Sequence, residues 1–305
     1  LERVDSRGSS HSPTIIYEDA PSSHPGHQSG VEYNSDGTLK DAMLSGEEIH
    51  QALVGAHIKT NDNLKSNKGA ESSSSGTTSI SMLLRDGVMY VSNVGDSRAI
   101  LVGRDGDGKV VTTALSHDQT PYRKDERERV RKTGARVMSM DQIEGLAPVT
   151  DDGWGDITLG EDIDESGDPP RVWHPEIVFP GCAFTRSLGD LQAKSLGVVA
   201  EPEIAEKKME PGDQYYVLAS DGVYEFITNK TVGDIVSGIG DPLEACKEIA
   251  HMAYDLWLAN EVRTDDITII ILKVMSGRPM IVLEEADSGD EDDDGGIRLR
   301  ADSKG

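Results

Sequence analysis

The sequence is short of cysteine, of basic side chains and of long apolar runs. Only Cys182 and Cys246 occur among 305 residues. That count excludes a disulfide-rich scaffold and favours a reduced, intracellular protein, either cytoplasmic or nuclear. No apolar stretch reaches the roughly 20 residues of a membrane-spanning helix, and no secretory signal is expected at the start. Because the chain begins at Leu1, we expect a piece of a longer reading frame.

Basic residues are outnumbered, with 30 Lys and Arg against 55 Asp and Glu and a net charge of −25. Nucleic acids and anionic membranes bind proteins through positive charge that neutralises their phosphates. Neither is therefore expected as a partner. Residues 151–168 and 284–294 carry much of the acid, so the remainder of the chain is closer to balance.

Three segments differ in composition. Residues 1–45 are rich in Ser, His, Pro, Gly and Asp without a sustained period, and they are predicted to be disordered or unassigned. Residues 46–275 carry the periodic patterns of a folded domain, with an acidic flap over 141–180. Residues 276–305 are predicted to form an acidic, disordered tail.

Strands and a few separate helices alternate through the folded part. Ser45 and Glu48 have the spacing of a helix-initiating capping box, and Ile49, Leu53 and Ala56 mark one face of the helix that follows. Hairpin signals come next, at Arg85-Asp86-Gly87 and at the glycine-rich 103–108. A charged helix is predicted from Thr120-Pro121 to Arg131. Another follows Asp241-Pro242, with one face formed by Leu243, Cys246, Ile249, Ala253 and Trp257. This order predicts an α+β domain of antiparallel sheets.

The segment Tyr215–Phe226 is the most informative. Tyr215 to Ala219 has the pattern of a strand buried on both faces, and it ends in Ser220-Asp221-Gly222, where glycine is expected to allow a sharp turn. A second β-branched run, Ile267 to Leu272, follows Asp265. Two carboxylates at the ends of buried strands suit a hard divalent cation, which prefers oxygen ligands.

Several other patterns fail as sites. Residues 103–109 match a phosphate-binding loop only until Val110, where Ser or Thr is required, so a hairpin turn is predicted. Asp290, Asp292 and Asp294 resemble the start of a calcium loop, but its twelfth position is Ala301. Neither cysteine has an arginine six residues later, the spacing that a cysteine phosphatase needs. An acidic tail and an absence of cysteine nucleophiles are the preferred interpretations.

Two short motifs combine opposite charges with a glycine. Asn93-Val-Gly-Asp-Ser-Arg98 is expected to expose a carboxylate and a guanidinium together at a sheet rim, with a tight turn and a local salt bridge as the simpler interpretation. Phe184-Thr-Arg-Ser-Leu-Gly-Asp190 combines a basic residue, a hydroxyl and an aspartate.

Six motifs in order resemble those of the metal-dependent protein phosphatase 2C family, and the resemblance spans residues 47–275. They are Ser75-Gly-Thr-Thr-Ser79, Gly95-Asp-Ser-Arg98, Leu115-Ser-x-Asp-x-Thr-Pro121, Phe184-Thr-Arg-Ser-Leu-Gly-Asp190, Ala219-Ser-Asp-Gly222 and Thr264-Asp-Asp-Ile-Thr-Ile269. Within that family, Gly167-Asp-Pro-Pro-Arg-Val-Trp173 and Asp141-Gln-Ile-Glu-Gly145 look most like the phosphatase domain of proteins that also carry cyclic-nucleotide-binding and kinase domains.

The resemblance implies a four-layer α-β-β-α sandwich that holds a pair of Mg²⁺ or Mn²⁺ ions. A third, weaker ion site would bring the count to three. In the family, metal-activated water attacks the phosphorus of phosphoserine or phosphothreonine, with no covalent intermediate. Asp221 and Asp265 match ligands of the metal pair. Asp96 and Glu225 match the third site, although many members have Asp where Glu225 stands.

The resemblance also implies partners and a substrate flap. Phosphorylated proteins are the expected partners of a monomeric chain. The flap carries Asp151, Asp152, Asp164 and Asp168, and it is expected to favour phosphopeptides with basic neighbours because opposite charges attract at long range. A solvated loop without such a role is the alternative.

One part of the family pattern is missing. No Asp-Gly-His-Gly motif occurs, although its aspartate bridges both metals in the family. Glu18-Asp19 and Asp36-Gly37 resemble the amino-terminal motifs only superficially. The leading hypothesis is therefore a fragment of a serine/threonine phosphatase. The alternative is a pseudophosphatase that binds phosphoproteins or a kinase without hydrolysis.

Overall fold

Two antiparallel sheets facing each other form the framework of the domain. The computed structural model describes residues 44–67, 69–149, 154, 159–161 and 168–275. Two units divide the chain, Leu1–Gly46 and Glu47–Gly305, and the description below concerns the second. Most of the predicted segment 1–45 and all of the predicted tail 276–305 lie outside the described residues, as does the rejected calcium loop.

The helices and strands have the following bounds in chain order. The helices are α1 Gly46–Ser66, α2 Lys124–Arg131, α3 Met140–Glu144, α4 Leu191–Lys194, α5 Asp221–Tyr224, α6 Asn229–Ile239 and α7 Pro242–Asn260. The strands are β1 Gly76–Thr77, β2 Ser79–Arg85, β3 Val88–Val94, β4 Arg98–Arg104, β5 Val110–Ala114, β6 Arg136–Met138, β7 Arg171–Trp173, β8 Pro180–Cys182, β9 Leu188–Gly189, β10 Glu203–Lys208, β11 Asp213–Ala219 and β12 Ile269–Lys273.

The two main sheets enclose one core and cover a second. One sheet has the strand order β12-β11-β4-β5 and the other β10-β3-β2, and all neighbours are antiparallel. Side chains from β3, β4 and β11 form the core between the sheets, with Val91, Leu101 and Tyr216 among them. The opposite face of the four-stranded sheet packs against α6 and α7. Facing antiparallel sheets with flanking helices confirm the predicted α+β class.

Strand β11 occupies the interior of its sheet, as its apolar sequence predicts. It pairs with β12 on one side and β4 on the other, and every residue from Tyr215 to Ala219 is buried. Alternate side chains therefore enter the two cores, because neighbouring residues of a strand point to opposite faces. The turns at Asp86-Gly87 and at 105–108 join β2 to β3 and β4 to β5, so both predicted hairpins are confirmed.

Three helix predictions need correction. In α1 the buried residues are Ile49 and His57, whereas Ala56 is exposed. Helix α2 begins at Lys124, so Thr120-Pro121 precede it. In α7 the exposed fraction of Leu243 is 63%. The buried positions there are Ala245, Ile249 and Ala253, four residues apart and hence on one helical face.

A smaller sheet, β6-β7-β8, and the two-stranded pair β1-β9 complete the described part. The smaller sheet shares a separate apolar cluster with α2 and α4. No described helix is long and apolar enough to cross a membrane.

Candidate metal centre

The ends of β11 and β12 bring Asp221 and Asp265 to one place. Antiparallel pairing sets Ala219 opposite Ile269, so the residue after one strand meets those before the other. The Ser220 hydroxyl fastens this junction, because it donates to the Asp266 carbonyl at 3.0 Å and accepts from the Thr268 N–H at 3.1 Å. Both carboxylates line the same cavity.

Gly222 is needed for close packing and not for a turn. Helix α5 begins at Asp221, directly after the strand, and Gly222 is absent from the residues with positive φ. A Cβ at this position would lie 2.4 Å from the Asp266 carbonyl oxygen. The chain does change from strand to helix here, but glycine is required because it lets the first turn of α5 approach the segment before β12. The indole N–H of Trp257 donates to the Gly222 carbonyl at 2.8 Å and holds the same turn.

The cavity has a volume of about 430 Å³, and acidic side chains make up part of its wall. These acidic side chains are Asp96, Asp118, Asp190, Asp221, Glu225 and Asp265. Among the described residues, no basic side chain forms an ion pair within 4.0 Å of Asp96, Asp221 or Asp265. Ionised carboxylates gathered in one cavity repel one another, and a bound cation reduces that repulsion.

The pKa values of two of these groups are raised, first by burial and then by the neighbouring carboxylates. Burial, followed by the charges of Asp221 and Asp118, raises the pKa of Asp96 to about 8. Burial, followed by the charge of Asp265, also raises the pKa of Asp221. Oxygen-only donors of this kind suit Mg²⁺ and Mn²⁺, so the residues present fit a divalent cation.

Arg98 is buried and has a distant partner. Its exposed fraction is 3%, and it donates two hydrogen bonds to Asp118, at 2.9 and 2.6 Å. A third goes to Asn229, and the guanidinium lies 4.4 Å from the ring centre of Tyr224. Asp96 and Arg98 do line one cavity, as their motif predicts, but the expected exposure of the guanidinium and the alternative of a local salt bridge are wrong. Asp118 lies within the motif Leu115 to Pro121, but no role was predicted for it from the sequence. An acidic residue between a strand and Thr-Pro could have indicated a functional position.

A second acidic group is neutralised by arginines. Asp125, Glu126 and Glu203 are the only three described side chains of metal-binding type whose ligand atoms all lie within 4.8 Å of one another. Glu126 pairs with Arg129 and Arg186, and Glu203 with Arg123 and Arg186. Because three guanidiniums already pair with these oxygens, we assign Asp125, Glu126 and Glu203 a structural role and not a metal-binding one. Asp96, Asp221 and Asp265 do not form such a closely spaced group among the described residues, although all three line the cavity.

Cys182 lines the cavity, and burial raises the pKa of its thiol to about 12. A protonated thiol is a poor nucleophile, and the absence of a cysteine nucleophile stays a prediction.

The predicted flap is only partly described. Asp151, Asp152 and Asp164 lie outside the described residues. Asp168 accepts hydrogen bonds from the backbone N–H groups of Met140 and Asp141, at 2.8 and 2.9 Å. Burial raises its pKa, but hydrogen bonds from Ser139 and these amides outweigh burial, so the pKa lies below its usual value. Asp168 therefore anchors the first turn of α3, and its role toward substrates stays a prediction.

Known proteins with similar sequences are phosphatases by name. A family model described as protein phosphatase 2C matches residues 34–258. "Probable protein phosphatase 2C 35" of Arabidopsis thaliana is 44% identical over 228 residues, which cover 75% of this chain and 64% of that protein. "Probable protein phosphatase 2C 61" of the same species is 30% identical over 213 residues, covering 69% and 58%. The chain thus spans less than two thirds of these relatives' length.

Solved structures agree on the fold. The crystal structure of a serine-threonine phosphatase 2C from Toxoplasma gondii matches with a TM-score of 0.59 and 16% identity, covering 74% of this chain and 67% of that one. A C. elegans sex-determining protein matches with a TM-score of 0.55 and 17% identity, covering 76% and 48%. These matches confirm the predicted sandwich fold, while the closer likeness to kinase-fused phosphatases stays a prediction. From the family match and the cavity together, the chain belongs to the protein phosphatase 2C family.

Proposed function

We propose that this chain is part of a Mg²⁺- or Mn²⁺-dependent protein phosphatase that hydrolyses phosphoserine and phosphothreonine. The observation that carries the proposal is the cavity, where three carboxylates without ion-pair partners converge in a chain of a metal-dependent family. Raised pKa values at Asp96 and Asp221 support a bound cation, since a nearby positive charge would favour the ionised form of these carboxylates.

The residues divide the work by position. Asp221 and Asp265, held at the joined ends of β11 and β12, are the proposed ligands of a metal pair, and Asp96 and Glu225 of a third site. Asp118 binds Arg98 with both oxygens and so keeps a guanidinium fixed beside the cavity. Divalent ions, when bound, lower the pKa of water and neutralise phosphate charge. Phosphorylated proteins are the proposed partners.

Calorimetric titration with Mn²⁺ tests the ligand assignment. Asp221→Asn should weaken binding by more than the roughly tenfold typical of a lost supporting contact, while circular dichroism stays unchanged. Asp255→Asn is the matched control, since this aspartate is exposed on α7; its affinity should stay within a factor of two. Equal Mn²⁺ affinity in Asp221→Asn and the unmodified chain would remove the assignment.

Phosphatase activity is tested on a longer protein that includes the upstream sequence. Mn²⁺-dependent release of phosphate from phosphothreonine peptides, abolished by Asp221→Asn, supports the proposal. Tight binding of the same peptides without phosphate release would instead identify the pseudophosphatase.

A further inference from the structure

Gln119 holds both peptide groups that flank Gly95, the residue before Asp96. The Gly95 N–H donates to the Gln119 side-chain oxygen at 2.6 Å, and the Gln119 backbone N–H donates to the Gly95 carbonyl at 3.0 Å. The side-chain amide of Asn93 donates to that carbonyl as well, at 3.1 Å. Gly95 has φ of 110°, and a Cβ there would lie 2.4 Å from the Thr78 side chain. These hydrogen bonds and the contact with Thr78 therefore restrict the backbone conformation at Gly95.

The position of the Asp96 side chain depends on this backbone conformation. The Gly95 carbonyl and the Cα of Asp96 belong to the same peptide group, which is planar. Donors that fix the Gly95 carbonyl therefore also fix the Cα of Asp96, whose carboxylate lines the cavity.

The other polar atoms of Gln119 are occupied too. Its side-chain amide donates to the Asn93 carbonyl at 3.1 Å and to the Glu203 carboxylate at 3.3 Å. Its own carbonyl accepts from the N–H and the hydroxyl of Thr185, at 2.7 and 2.9 Å. Gln119 is completely buried, so it connects the turn before Asp96 to the arginine–carboxylate group around Glu203 without contact with water.

We propose that Gln119 is a positioning residue of the metal centre, which presents the Asp96 carboxylate to a divalent cation. The inference rests on the proposed function. Asp96 shares its cavity with Asp118, Asp221 and Glu225, and ionised carboxylates at close range repel one another. A free turn would relax away from this repulsion, and cation binding would then have to reverse the movement. A clamped turn keeps the ligand in place beforehand, which is how supporting contacts raise the metal affinity of a site.

Two variants separate positioning from simple stabilisation. Gln119→Met keeps the length of the side chain and removes its hydrogen bonds to Gly95, Asn93 and Glu203. Glu203→Gln is the matched control, since it weakens the same buried group from its outer end and leaves the Gly95 contacts intact. Both should lower the melting temperature.

Hydrogen exchange of the metal-free 305-residue chain and Mn²⁺ calorimetry are the measurements. Gln119→Met should speed amide exchange at Gly95 and weaken Mn²⁺ binding by roughly tenfold. Glu203→Gln should leave both within a factor of two. In an Asp96→Asn background, Gln119→Met should no longer change the affinity, because the effect passes through Asp96.

The outcomes that overturn the inference are distinct. If the unmodified chain binds Mn²⁺ and Gln119→Met binds it with equal affinity, the inference about Gln119 is wrong but the proposed metal centre stands. If the unmodified chain binds no Mn²⁺, the proposed metal centre is wrong as well. If Gln119→Met does not fold, Gln119→Glu replaces it, since a carboxylate still accepts from Gly95. If the Gly95 amide of Gln119→Glu stays protected from exchange and the Mn²⁺ affinity is retained, the inference is supported. If the Gly95 amide loses its protection while the Mn²⁺ affinity is retained, the inference is contradicted.

Discussion

Glu126→Gln should destabilise the domain strongly without affecting Mn²⁺ binding. The Glu126 carboxylate is 1% exposed and accepts from Arg129, Arg186 and the Thr185 hydroxyl. Burial raises its pKa, but the hydrogen bonds from Arg129 and Arg186 outweigh burial and lower the pKa from 4.5 to about 2. A shift of that size corresponds to about 3 kcal/mol of folding free energy at neutral pH.

The sign of the pH dependence follows from the direction of the shift. A carboxylate with a lowered pKa in the folded state stabilises the fold above its unfolded pKa of 4.5. That contribution is lost as the pH falls from 4.5 toward 2. The difference in unfolding free energy between the unmodified chain and Glu126→Gln should therefore be about 3 kcal/mol at pH 7 and about 1 kcal/mol at pH 3.

Urea unfolding between pH 7 and pH 3 measures this difference, with EDTA present to remove metal. Mn²⁺ calorimetry on the same variant should give the affinity of the unmodified chain. A difference that stays constant with pH would refute the argument that Glu126 is ionised through its arginines. Loss of Mn²⁺ binding in Glu126→Gln would refute the assignment of Asp125, Glu126 and Glu203 to structure.

Three further results are expected. Gly222→Ala should lower the unfolding free energy by on the order of 1–3 kcal/mol, because its Cβ meets the Asp266 carbonyl; an unchanged urea midpoint would contradict that contact. At low salt, a complete form of the domain should hydrolyse basic phosphopeptides faster than acidic ones, because residues 151–168 are acidic. Equal rates would contradict the prediction that the acidic flap selects basic substrates. The 305-residue chain should hydrolyse p-nitrophenyl phosphate poorly with Mn²⁺, since the Asp-Gly-His-Gly motif is missing. Strong turnover that Asp221→Asn abolishes would contradict this prediction and indicate unrecognised metal ligands. The first residues to test would then be Glu18, Asp19 and Asp36.

The sequence was sufficient to predict β11 and β12 and the carboxylates that lie at their ends. The apolar run before Asp221 and the β-branched run after Asp265 are local patterns, and local patterns predict strand positions well. The hairpins around Asp86-Gly87 and 105–108 follow from turn chemistry. The six motifs added the order of these elements, and hence the fold and the family.

Partners far apart in sequence could not be predicted in the same way. Arg98 pairs with Asp118 and Asn229, and nothing in the turn around Arg98 indicates either. Gly222 was assigned to a turn because a glycine's neighbours in space are invisible in sequence. Leu243 was placed on the buried face of α7, but that face is set by the sheet beneath it.

Because Asp221 and Asp265 belong to separate segments joined by β11 and β12, the proposed metal centre can be divided between two polypeptides. Between Asp221 and Asp265 the chain leaves the cavity, forms α6 and α7, and returns. A cut between Gly238 and Asp241 would place one carboxylate on each of two polypeptides, which β11–β12 pairing and the core around Val217, Ile249 and Ile271 would draw together again. Cation binding by the mixture would then report reassembly, and the domain could serve as a two-part sensor of divalent metal.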